Sequence, residues 1–180
     1  SDVCSSDLPS HRLDVYAHGR WPVELVARLG LDPRPWLAGE LPWVLDTRMT
    51  LAEDGSLSGR MLATSDLNGT GINLPQPLGK PSDAARAGRL VLPFRRAGAG
   101  EPLALGPVTA TLEGLGALHA EVSGHPDSPL ALQRASLHFG GERAELPESA
   151  RFRVYGALGP IAWHDWQPVL DQVLRSARDT

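Results

Sequence analysis

The chain has 180 residues but only one cysteine, Cys4, and one lysine, Lys80. Cys4 falls in residues 1–8 (SDVCSSDL), which resemble a translated sequencing-library adapter and lack the apolar centre of a signal peptide. Setting 1–8 apart leaves 9–180, read as a single segment of a longer protein, with no cysteine at all. That excludes a disulfide framework and thiolate chemistry. No apolar run approaches the roughly 18–20 residues of a membrane-spanning helix. Positive charge is short as well: the formal net charge is -4 and the isoelectric point about 5.8. This argues against a nucleic-acid partner, which calls for a basic face. The catalytic signatures are missing too. There is no G-x-S-x-G elbow, phosphate-binding glycine loop or dinucleotide fingerprint, so neither an enzyme nor a bound cofactor is expected.

What the chain does have is alternation. Over 11–19, Leu13, Val15 and Ala17 face one side and Asp14, Tyr16 and His18 the other, the pattern of a half-exposed strand. Pro22, then Val23, Val26 and Ala27 before Gly30, predict a short helix of about eight residues. Residues 32–35 read as a turn. Residues 41–52 alternate again, Asp54-Gly55 signals a hairpin, and 57–64 return. Further strands are expected at 89–95, 103–112, 115–122, 130–139 and 151–155. Short, regularly spaced strands with no helices between them predict a mainly β fold, a curved antiparallel sheet. One face of it is aliphatic: Leu90, Leu92 and Phe94; Val108, Ala110 and Leu112; Leu118, Ala120 and Val122; Ala135, Leu137 and Phe139. The chain closes on an amphipathic helix with Asp165 as its N-cap and Pro168 in its first turn. Its stripe of Trp166, Val169, Leu170, Val173, Leu174 and Ala177 is expected to dock onto the sheet.

Candidate chemical groups are few. His119 and Glu121 share a strand face, with His125 and Asp127 in the following turn, but the P-C-x-x-C that completes a zinc deaminase signature is absent. A solvated strand face is expected there, without a metal. His164-Asp165 suggests a dyad, yet neighbouring side chains rarely face each other, and a helix cap accounts for the aspartate. Asn68-Gly69-Thr70 fits the glycosylation pattern, which is short enough to recur by chance. Lys80 either meets a phosphate headgroup as a point charge or stands as a solvated loop cation. Of 17 lysine and arginine residues only one is lysine, a bias read as GC-rich coding rather than as a functional arginine cluster.

The most distinctive stretch is 65–81, SDLNGTGINLPQPLGKP. Ser65-Asp66-Leu67, Leu74-Pro75, Pro77-Leu78 and Gly79-Lys80-Pro81 resemble the S-D-L-x-G … L-P-x-P-L-x-K pattern of the YhdP-type members of the AsmA-like family. Thr70-Gly71 stands where that pattern is more often apolar. Gly39-x-x-Pro42-Trp43, Val154-Tyr155-Gly156 and the Asp165-Trp166 helix extend the resemblance over most of 11–175. The resemblance implies an open, lipid-binding β-groove, part of a periplasmic bridge anchored in the inner membrane that moves phospholipid toward the outer membrane. The aliphatic positions above would line the groove, and 65–81 would run along its rim. The other reading is a β-sandwich binding or structural module, with Trp21, Trp36 and Trp43 as contacts.

Overall fold

The structure, a computed structural model, describes residues 10–26, 36–123 and 131–176. In chain order the elements are β1 (Ser10–Pro22), α1 (Val23–Val26), β2 (Leu37–Ala52), β3 (Leu57–Ser65), β4 (Thr70–Ile72), β5 (Gly88–Arg96), β6 (Ala104–Leu105), β7 (Val108–Leu112), β8 (Gly116–Ser123), β9 (Ala131–Phe139), β10 (Phe152–Gly156) and α2 (Trp163–Ser176). All the strands belong to one sheet. Its order is β1-β2-β3-β5-β7-β8-β9-β10, with β4 paired to β2 and β6 to β5. β1 and β10 do not pair with each other, so the sheet is open.

Local chemistry explains most of these boundaries. At the β2–β3 hairpin the Asp54 carboxylate accepts a hydrogen bond from the Ser56 amide at 2.8 Å, holding the turn between the two strands. The strand expected over 103–112 divides into β6 and β7 at Gly106-Pro107. Proline has no amide to give to a ladder, while the Gly106 amide bonds the Pro93 carbonyl at 2.8 Å. α1 is a single described turn that packs against β1 and β2 and buries Val23 to 1% exposure. The remainder of the helix expected there, and the turn at 32–35, lie outside the described residues.

Two expectations need correction. The sheet is mixed rather than antiparallel, because β10 pairs with β9 in parallel, Phe152 opposite Ala135 and Gly156 opposite Phe139. A parallel pair needs a crossover of a dozen residues or more, usually a helix. Here residues 140–151 make the crossing without one, over the polar face. His138 Nδ1 pairs with the Arg143 carbonyl and His119 Nδ1 with the Ala144 carbonyl. Arg134 donates to the Pro147 carbonyl, and the Glu145 amide donates to the Tyr155 hydroxyl. Side chains from three strands replace the internal bonding that a crossover helix would supply.

The second correction concerns α2. It starts at Trp163, so Asp165 sits inside the first turn, where its charge still complements the helix dipole. Among the described elements none packs against α2. One tie is Trp166 Nε1 donating to the Gln76 carbonyl at 3.1 Å. Residues 157–162 carry the helix toward the Gln76-Pro77 turn, and Trp163 and Leu170 remain exposed.

Candidate functional site

Strand register turns the sequence alternation into rows that cross the sheet. One row reads Ala17, Leu45, Ala63, Leu90, Ala110, Leu118, Leu137 and Val154, each residue paired with the next. All eight are apolar, and seven strand spacings of about 4.8 Å make the row about 34 Å long. Beside it run Leu112, Gly116 and Phe139, and on the other flank Val108, Ala120, Ala135 and Phe152. Further along, Leu92 pairs with Met61, and Phe94 with both Gly59 and Leu105. Val122 pairs with Leu132 across a bulge, which keeps it on the same face. Every sequence-predicted lining position therefore falls on one face.

No second layer covers that face among the described residues. The hydrophobic residues shielded from solvent are Val23, Ala117, Ala120 and Ala135, and Ala117 belongs to the opposite face. The larger side chains of the apolar rows are half-buried by their lateral neighbours, while Leu13, Leu132, Phe152 and Val154 are exposed. One row over eight strands, flanked on its two sides over three and four strands, defines a field on the order of 500 Å². A soluble monomer rarely leaves a contiguous apolar patch larger than that without a use for it.

Residues 65–81 fold into an ordered crossing between β3 and β5. β4 pairs with Leu37–Gly39 of β2, Ile72 and Lys80 form a β-bridge, and the Gln76–Pro77 peptide is cis. Thr70 is fully buried and its hydroxyl donates to the Glu40 carbonyl at 2.6 Å. Neither sequence reading of Lys80 holds. It is 6% exposed, and its ammonium donates to the carbonyls of Leu67 (2.9 Å), Pro81 (2.9 Å) and Ala84 (2.5 Å). Burial holds its pKa below the ordinary lysine value, the Arg86 guanidinium adds to the effect, and Asp83 and Asp66 oppose it. Arg86 in turn bonds the Leu78 carbonyl at 3.1 Å. The lysine gathers backbone oxygens and presents no charge to a headgroup. Leu67, held at a φ of 51°, tolerates that strain because its carbonyl accepts from both Thr70 N and Lys80 Nζ.

Packing in this crossing is close. A Cβ added to Gly79 would lie 2.0 Å from the Leu74 carbonyl oxygen, so the turn has to open to admit one. Gly79→Ala is expected to cost about 2–3 kcal/mol, read as a lower urea midpoint at unchanged slope.

The other candidates separate. Glu121 pairs with Arg134, and His119 is engaged by the crossover; His125 and Asp127 lie outside the described residues. No group of three metal-ligand side chains occurs among the described residues. His164 Nε2 and Asp165 Oδ1 do meet, at 2.8 Å, because both sit at the start of the helix instead of capping it. The pair stands in solvent, with no nucleophile bonded to it among the described residues. The Trp21 and Trp43 rings meet at a 41° tilt with centroids 4.8 Å apart, and the Trp36 carbonyl accepts from the Asn73 amide. The apolar face is the site candidate that the whole sheet builds. No family model, no curated protein and no solved structure matches this chain.

Proposed function

We propose that this chain is a stretch of a periplasmic lipid-transfer bridge of the AsmA-like kind, its sheet curled into an open groove whose apolar face shields phospholipid acyl chains between the inner and outer membranes. The observation that carries this reading is the unbroken apolar row from Ala17 to Val154, on a face that no second layer covers among the described residues. The row is longer than one leaflet's hydrocarbon depth, which is half of a core about 30 Å thick. Burying one sixteen-carbon chain is worth about 13 kcal/mol, and an open face that covers one side of the chain supplies about half of that. Residues 65–81, similar to the family's motif, form the rim segment, with Lys80 as its internal fastening. Inner-membrane anchoring belongs to other parts of the full-length protein. A β-sandwich module needs a second sheet over this face, and the described residues form one sheet.

The test is lipid analysis of the purified chain. Phospholipid is expected to co-purify and to be detected by mass spectrometry of the extract. Protein that is repeatedly free of lipid, after isolation in a detergent-free buffer from membrane-containing cells, overturns the reading.

A further inference from the structure

The face opposite the apolar rows carries an assembly that strand register creates and composition hides. In one row Arg12 pairs with Thr50, Thr50 with Ser58 and Ser58 with Arg95; in the next, Asp14 pairs with Arg48 and Arg48 with Arg60. Four guanidiniums and two hydroxyls thus share two adjacent rows on β1, β2, β3 and β5. Arg12, Arg48, Thr50, Ser58 and Arg60 line a shallow depression of about 350 Å³. Like charges set directly opposite, as Arg48 and Arg60 are, destabilise a sheet. Asp14 and Asp46 each meet one arginine, Arg12 and Arg48, at 3.3 Å. Among the described residues the Arg60 and Arg95 side chains make no hydrogen bond or ion pair. Four cations against two carboxylates leave a local surplus of two positive charges in a chain whose formal net charge is -4.

We infer that this cluster is a binding site for a phosphate-class oxyanion. A carboxylate presents two oxygens, whereas a phosphate presents three or four, enough to engage several guanidinium forks and the Thr50 and Ser58 hydroxyls together. A bound anion also removes the Arg48–Arg60 repulsion, so occupancy stabilises the fold. The site lies on the face away from the acyl-chain surface proposed above and stands without it.

The experiment titrates the full chain at low salt with inorganic phosphate, with glycerol 3-phosphate, and with phosphatidylcholine vesicles with and without phosphatidic acid. Wild type is expected to bind a phosphate probe and to gain thermal midpoint with it. In Arg60→Gln/Arg95→Gln, whose exposed side chains leave the fold intact by circular dichroism, binding weakens about tenfold or more. Tighter binding to phosphatidic acid vesicles than to inorganic phosphate, lost in the double variant, identifies a lipid headgroup as the source; equal or tighter binding to the free ions identifies soluble phosphate. Leu118→Glu on the opposite face leaves phosphate affinity unchanged, so failure of the lipid-bridge reading is distinguishable from failure of this one. Unchanged affinity in the double variant overturns the inference. So does the absence of binding to every phosphate probe, including the case where an acidic peptide binds instead.

Discussion

Replacing Lys80 with methionine is expected to lower the unfolding free energy by roughly 3–5 kcal/mol. Methionine keeps the apolar stem but removes the ammonium from all three carbonyls; Leu67 and Pro81 keep the amides of Thr70 and Ala84, while the Ala84 carbonyl loses its donor. The orphaned carbonyl costs about 1–3 kcal/mol, and losing the charge-assisted bonds to the other two adds the rest. Set against the 5–15 kcal/mol that holds a typical domain together, the loss is severe. Arginine does not rescue it, since a flat fork cannot place donors on three oxygens grouped around one point. Urea unfolding followed by tryptophan fluorescence reads the change, and a midpoint within error of wild type contradicts it. The pH dependence has a definite sign. Burial lowers the folded pKa of Lys80 below 10.5, so between the lowered value and 10.5 the unfolded chain binds more protons than the native one. Wild-type stability relative to Lys80→Met therefore rises with pH through that window and is flat below it.

A single charge on the apolar face should have the largest functional effect. Leu118 sits in the interior of the eight-strand row, between Ala110 and Leu137. Leu118→Glu puts a carboxylate into the path of an acyl chain, and the cost of desolvating it exceeds the gain from the neighbouring methylenes. Co-purified phospholipid is expected to fall to background. Because Leu118 is only half-buried, the charge keeps contact with water in the empty protein, and the stability loss stays near 1–2 kcal/mol. Thr109→Glu, on the opposite face of the adjacent strand β7, is the control and leaves lipid content unchanged. Equal lipid in both variants removes the apolar face from the transport proposal.

Much of this molecule can be read from one-dimensional pattern. A period of two assigns every residue of a strand to a side, so the aliphatic positions from Leu90 to Phe139 were legible on one face before any pairing was known. Turn residues such as Asp54-Gly55 placed the hairpin, because a turn's chemistry acts within four residues. Pattern misled where the cause was distant. β10 was expected to be antiparallel, since no helix follows β9; the crossover is held instead by His119, Arg134, His138 and Tyr155, which no local rule anticipates. Asp165 looked like a cap because cap and first-turn aspartates look alike in sequence, and the amphipathic stripe of α2 says nothing of which surface, if any, receives it.

The amino-acid sequence alone determined the mainly β character, the two-sidedness of the strands and the apolar character of one face, since all three follow from residue type and spacing. Tertiary structure decided everything that depends on which strands become neighbours. Pairing aligned eight apolar residues from separate strands into one row, on a face that no second layer covers among the described residues. The fold of 65–81 turned Lys80 inward onto three carbonyls, although its Gly/Pro surroundings read as solvent. Strand order placed Arg12, Arg48, Arg60 and Arg95 on adjacent positions of the other face. Side chains interact over a few ångströms, and only strand order and register bring residues so far apart in the chain within that range.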